Sequence, residues 1–163
     1  MNKFRIRPLR EEDAVPMLEW LTNESVTQYL SIGGSDSNME STLTFIRGAA
    51  DESVNLHRAI VDEDDQYLGT VSLKNIDHAK QEAEYAIAMH QNAIGTGAAA
   101  AGTDLIQDIA FKTLNLRRLY LNVLRINERA VKFYDRLGIC YTHSTMTIYS
   151  GEESELFWYE MNH

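Results

Sequence analysis

Residues 82–111 read EAEYAIAMHQNAIGTGAAAAGTDLIQDIAF, and the way this stretch changes its period decides the fold. In its first eight residues Ala83, Tyr85, Ile87 and Met89 alternate with Glu82, Glu84, Ala86 and Ala88, the two-residue period of a strand. A polar turn at 90–93 leads into Ile94, Gly95, Thr96, Gly97, Ala98, Ala99 and Ala100. From there Leu105, Ile106, Ile109, Ala110 and Leu114 recur at helical spacing. The two glycines let backbone approach a ligand, and the start of the helix adds unpaired amides and the positive end of a dipole. Strand, glycine loop and helix together predict an anion cradle suited to phosphates; the plain alternative is a glycine-rich turn that binds nothing.

Residues 95–100 also satisfy a loose dinucleotide fingerprint, G-x-G-x-x-A. That fingerprint needs its first glycine directly after a strand and an acid about 20 residues further on. At that distance the chain has Arg117 and Arg118, then a strand with no acid at its end, so the NAD reading is weak.

The chain's 163 residues are 44% hydrophobic, enough for one domain over residues 1–163 with a sizeable core. No run approaches the ~18 apolar residues of a membrane helix, and MNKFRIRPLR lacks the apolar centre of a secretory signal, so a cytoplasmic protein is expected. The single Cys140 can form no internal disulfide. Fifteen basic against 24 acidic residues leave a formal charge of −9. That is a poor match to a nucleic-acid backbone and draws a cationic small molecule more readily, although keeping the protein in solution is the plainer role of such charge. His57, His78, His90, His143 and His163 show neither metal-ligand spacing nor a nucleophile partner. With Cys140 they read as structural or solvent residues, and no metal is implied.

Elsewhere, residues 4–8 alternate as a short strand. Residues 11–22 read as a helix with Val15, Leu18 and Leu21 inward, and residues 31–36 as the most loop-like segment, within a mobile stretch over 25–36. Residues 37–40 form a capping box for a second helix reaching about residue 50. Residues 56–61 and 67–73 make an antiparallel hairpin, and 74–81 a polar connection into the central strand. Residues 119–123 form a strand apolar on both faces, 128–137 a helix capped by Asn127 and stopped by Gly138, and 139–149 with 155–161 two closing strands.

The pattern N-x-x-A-x-x-x-Y-x-x-x-G at Asn127, Ala130, Tyr134 and Gly138, together with the cradle at 94–99, resembles the GNAT superfamily of N-acetyltransferases. The likeness spans roughly residues 67–139 and is nearest to the bacterial subgroup of spermidine and ribosomal-protein alanine acetyltransferases. In the cradle pattern Q/R-x-x-G-x-G/A the leading position is Ile94, and alanines replace the usual bulky residues. The resemblance implies an α/β (α+β) fold with a mixed, mostly antiparallel sheet of about seven strands flanked by about four helices. It places acyl-CoA at a splay between the two central strands.

It further implies acetyl-CoA as acyl donor, held by the backbone of Ile87, Ala88 and Met89, by Ile94, Gly95, Thr96, Gly97, Ala98, Ala99 and Ala100, and by Asn127, Ala130 and Tyr134. Tyr134 would protonate the departing thiolate, a core aromatic being the alternative. The base is open between Glu84, Glu82 and a water chain. The acceptor is expected to be a small primary amine of polyamine type. A nucleotide-linked amino sugar, a protein N-terminus, or acyl-CoA binding without catalysis are the alternatives. No nucleic-acid or membrane partner is expected; a homodimer or larger homo-oligomer is.

Overall fold

The computed structural model describes residues 3–30, 33–34 and 36–163. The chain runs β1 (Arg5–Pro8), a 3-10 turn (Glu11–Asp13), α1 (Ala14–Leu21), α2 (Glu24–Thr27), α3 (Met39–Gly48), β2 (Leu56–Val61), β3 (Tyr67–Asp77) and β4 (Glu82–Met89). A 3-10 turn (Gln91–Ala93) leads to α4 (Ala98–Asp108), which ends in a π-helical turn (Ile109–Thr113). Then come β5 (Arg118–Leu124), α5 (Glu128–Arg136), β6 (Cys140–Tyr149) and β7 (Glu152–Asn162). The strands form one sheet in the order β1-β2-β3-β4-β5-β7-β6. Every pairing is antiparallel except β4 with β5, so the fold is the mixed, mostly antiparallel α/β sheet that the resemblance implies.

The alternation along the strands sends two sets of side chains to opposite faces. On one face Ile60, Val71, Leu73, Ala83, Tyr85, Leu119 and Leu121 pack under Ala98, Ile106 and Ala110 of the α4 region and Tyr134 of α5. On the other, Ala59, Val61 and Tyr67 meet Ala14, Met17 and Trp20 of α1 and Ile46 of α3. Trp20 Nε1 donates to the Tyr67 hydroxyl at 2.9 Å, which lies 2.6 Å from Thr70 Oγ1. A wholly buried indole and phenol thus satisfy each other. Gly102 lets α4 lie close on β2: a Cβ there would fall 2.4 Å from Ile60 Cδ1.

Several local expectations shift. The inward face of α1 is Ala14, Met17 and Trp20, while Val15 is 59% exposed. The 3-10 turn ahead of the helix resets its phase, and Arg7 fixes that turn by holding both carboxylate oxygens of buried Asp13 at 2.9 Å. The box that starts α3 is Asn38 with Ser41, one residue on from Ser37 and Glu40. β3 continues through Lys74 to Asp77, taking half of the expected connection. β5 is apolar on one face only: Leu119, Leu121 and Val123 are buried, whereas Tyr120 is half-buried and Asn122 exposed. A short helix, α2, overlaps the start of the stretch expected to be mobile, and Ser31, Ile32 and Ser35 of that expectation lie outside the described residues. Among the described residues no helix is long and apolar enough to cross a membrane.

Candidate active site

The site begins as a gap in the sheet. β4 and β5 pair only at Glu82↔Arg118, Ala83↔Leu119 and Glu84↔Tyr120. β4 then continues beside β3 to Met89, while β5 follows β7 to Leu124. Arg118 pins the joined end, donating from Nη1 to Glu82 at 2.7 Å and from Nε to Glu160 at 2.5 Å. The His90 amide donates to the Leu68 carbonyl, in register with the Gly69↔Met89 pair. By the alternation of an antiparallel ladder, the backbone of Ala86 and Ala88 faces β3, and that of Tyr85, Ile87 and Met89 faces the gap. Backbone groups in a sheet interior need partners, and an extended, amide-bearing ligand can supply them as an added strand would. Of the three residues expected to offer backbone here, Ile87 and Met89 are aimed at the gap; Ala88 is turned toward Thr70.

Beyond β4, His90 is buried. Its Nδ1 accepts from the Asn92 amide at 3.0 Å and its Nε2 lies 3.0 Å from Glu19, tying the loop to α1. Ile94, Gly95, Thr96 and Gly97 are exposed. Gly95 and Gly97 adopt φ of +83° and +90°, where a side chain is strained, and a Cβ would meet nothing within 4 Å at Gly95 and only the Phe4 ring, 3.9 Å away, at Gly97. Thr96 Oγ1 donates to the Ala93 carbonyl at 2.6 Å and accepts from the Ala98 amide at 3.3 Å. The first intrahelical bond is Ala101 to Gly97, so the amides of Ala99 and Ala100 find no acceptor among the described residues. An open left-handed loop ending in unpaired amides at an eleven-residue helix suits a pyrophosphate, and with the gap it fits the CoA moiety of acetyl-CoA.

α5 closes the far side. Asn127 Oδ1 caps the helix by accepting from the Ala130 amide at 3.3 Å, and its Nδ2 has no acceptor among the described residues. Ala130 is half-buried at that turn. Tyr134, 7% exposed, packs edge-on against Tyr85 at 6.1 Å and tilted against Tyr159 at 5.6 Å. Burial holds its hydroxyl well above the ordinary phenol value, the Tyr85 hydroxyl acts the other way, and Tyr159 adds to the rise. Tyr85 in turn bonds Thr103 Oγ1 at 2.7 Å.

The two candidate carboxylates have other partners. Glu82 bonds Arg118, and Glu84 lies 3.6 Å from Lys74 Nζ, directly across the β3–β4 ladder. On their face of the sheet, a cavity of about 360 Å³ opens between α1, α3 and strands β2, β3 and β4. Met17, Trp20, Leu21, Leu30 and Phe45 make its apolar wall; Thr70, Ser72, His57 and Lys74 line its floor with Ala86, Ile87 and Ala88. Ile87 therefore belongs to both the gap and the cavity, and the cavity opens beside whatever lies in the gap. Sequence reading missed this floor. The signal was present in β3, where Thr70, Ser72 and Lys74 alternate with Val71 and Leu73, a polar face set under apolar helices.

Residues 3–139 match the family described as Acetyltransferase (GNAT) domain. The spermidine N(1)-acetyltransferase of Escherichia coli K12 is 31% identical over 137 residues, 84% of this chain and 73% of that protein. The spermidine N(1)-acetyltransferase of Vibrio cholerae serotype O1 is 34% identical over 86 residues, 52% of this chain and 50% of that protein. A crystal structure of spermidine N-acetyltransferase from Vibrio cholerae in complex with CoA and spermine superposes with a TM-score of 0.87 over 98% of this chain and 95% of that one. At 19% identity it speaks to the fold. A dodecameric structure of spermidine N-acetyltransferase from Vibrio cholerae gives 0.80 at 18% identity, over 98% and 94% of the two chains.

Proposed function

Because the chain belongs to the GNAT acetyltransferase family and is an acetyl-CoA-dependent N-acetyltransferase, we propose that its acceptor is a small primary amine of polyamine type. The amine would be acetylated by direct attack from the cavity between α1, α3 and the sheet. The observation that carries this reading is the meeting of gap and cavity at Ile87. The apolar wall suits the methylene runs of a polyamine, and the hydroxyls of Thr70 and Ser72 accept from its inserted amine. Among the described residues the lining holds no carboxylate, so the remaining charges stay at the mouth, in the field of a protein of charge −9.

Acetyl-CoA supplies an acyl carbon already activated toward amines. Its arm is held by the backbone of Ile87 and Met89 and its phosphates by residues 94–100, with Asn127 Nδ2 as a further donor and Ala130 leaving room at the first turn of α5. An amide aimed at the thioester carbonyl from the free edge of β4 stabilises negative charge there. Tyr134, a phenol of ordinary pKa about 10 that burial pushes higher, stays protonated at neutral pH. As a weaker acid than a thiol of pKa about 8.5, it acts by hydrogen-bonding the developing thiolate and passing on the amine's proton. Glu84 holds Lys74 rather than serving as the free base.

The similarity to spermidine N-acetyltransferases supports the polyamine reading, and that to a dodecameric structure supports self-association. β6 offers an outer strand edge with Tyr141, Met146 and Ile148 47%, 62% and 67% exposed, and we assign a second copy to it. A cytoplasmic setting completes the reading. Comparing kcat/KM for spermidine, a neutral-bodied monoamine, an amino-sugar nucleotide and a short peptide tests the acceptor. Spermidine is expected to lead; an amino sugar or peptide ahead of it would replace this reading.

A further inference from the structure

His57, Ser72 and Ala86 occupy one row across β2, β3 and β4: His57 pairs with Ser72 and Ser72 with Ala86. All three line the acceptor cavity. His57 Nδ1 lies 2.6 Å from Ser72 Oγ, a short contact that fixes the imidazole, and Phe45 of α3 packs edge-on against the ring at 4.8 Å. Ser72 is 5% exposed, so its hydroxyl is oriented by the imidazole rather than by bulk water. It sits one strand spacing, about 5 Å, from β4, whose free edge borders the gap.

We propose that His57, acting through Ser72, is the base that takes the proton from the acceptor amine; this rests on the acetyltransfer reading of the site. The ammonium gives one proton to Ser72 Oγ while the Ser72 O–H proton passes to His57 Nδ1. One N–H bond breaks, one forms on the imidazole, and the amine keeps the lone pair that attacks. The imidazolium returns its proton to solvent, and the amine's second proton leaves with the thiol.

The surroundings favour each half of that exchange. Burial, Lys74 and Arg58 all lower the His57 pKa, so the ring is neutral and able to accept at pH 7. The same apolar wall and the same Lys74 ammonium disfavour an ammonium in the cavity, which lowers the acceptor's pKa toward that of the base. The charged groups around His57 are few. Arg58 on its own strand is paired with Glu52 at 2.8 Å, and Lys74 on β3 with Glu84 of β4 at 3.6 Å. α1 and α3 bring no charge to the cavity lining among the described residues. Lys74 and Glu84 then become positioning residues, one setting the field and the other holding it in place.

The test is a pH profile of kcat/KM for wild type, His57→Gln and Ser72→Ala, with two acceptors: spermidine and a weakly basic arylamine that is already neutral at pH 7. For spermidine, His57→Gln should lower kcat/KM by roughly a hundredfold, and the wild-type acid limb, set below the ordinary histidine value, should vanish. Ser72→Ala should lose about tenfold or more. The arylamine needs no base, so each variant should cost it far less than it costs spermidine; Ser72→Ala, which also loses a hydroxyl bonded to the amine, should slow the arylamine more than His57→Gln does, and raising the pH should narrow the spermidine deficit. Equal losses for both acceptors would make His57 a packing residue and overturn the proposal, as would spermidine turnover unchanged in His57→Gln. Should His57→Gln fail to bind CoA in calorimetry, Ser72→Ala and the wild-type arylamine profile decide instead; an acid limb equally present with the arylamine counts against the base. Absence of thiol release by wild type with every amine would strike the acetyltransfer reading itself, not the assignment of His57.

Discussion

In the proposed mechanism Tyr134 carries two duties in one side chain. Its ring packs against Tyr85, Phe133 and Tyr159, and its hydroxyl, whose pKa burial raises, is the proposed proton donor. Tyr134→Phe keeps the ring, so turnover should fall by roughly a hundredfold with acetyl-CoA affinity unchanged; wild-type turnover would leave Tyr134 as a core aromatic. His57 sets a pH dependence as well. Its pKa is lowered in the fold, so below the ordinary value of about 6.5 the unfolded chain binds the proton more tightly. His57 therefore lowers stability as pH falls from about 6.5, and His57→Gln should flatten that part of the curve in denaturant titrations at stepped pH. A slope identical to wild type would contradict the buried, neutral imidazole. Tyr134 stands out in the sequence as a candidate because its spacing from Asn127 and Gly138 forms a pattern; His57 does not, because its partner Ser72 is 15 residues away and only strand pairing joins them.

At the scale of elements, the proposed reading makes β4 and α4 the donor side and the helices α1 and α3 the acceptor side. The bounds of β4 were readable because an alternating strand gives way abruptly to a glycine loop. The early splay from β5 was expected only by resemblance, since no residue in β4 itself announces where its neighbour leaves. The face of α1 was misread because a 3-10 turn shifts helical phase by an amount no hydrophobic pattern records. A substitution at Gly97 is a poor probe of the cradle, for its φ of +90° strains any side chain and confounds folding with binding. Ala99→Glu is cleaner. A carboxylate in the first turn of α4 agrees with the helix dipole and preserves the fold, yet it opposes a pyrophosphate. CoA affinity should drop about tenfold or more, or ~1.4 kcal/mol, in calorimetry; an unchanged affinity would remove the loop from the site.

For the whole molecule, the charge of −9 acts at long range where the cavity lining does not. Attraction of a polycation to such a surface is screened as the Debye length shrinks from about 10 Å at 0.1 M salt to 3 Å at 1 M. The spermidine kcat/KM should therefore fall with ionic strength while that of a neutral amine stays level; parallel behaviour of the two would rule out steering. The acceptor remained the least legible part of the sequence because the cavity proposed for it is built from α1, α3 and three strands far apart along the chain, none of which carries a motif. The central claim is that a donor in the β4–β5 gap gives its acetyl group to an amine entering beside Ile87. Incubation with isotope-labelled acetyl-CoA and spermidine, read by mass spectrometry of the amine, tests it most directly. The account predicts one labelled acetyl group on the amine for each thiol released, with the yield collapsing in Tyr134→Phe; CoA binding with no label reaching any amine would contradict it.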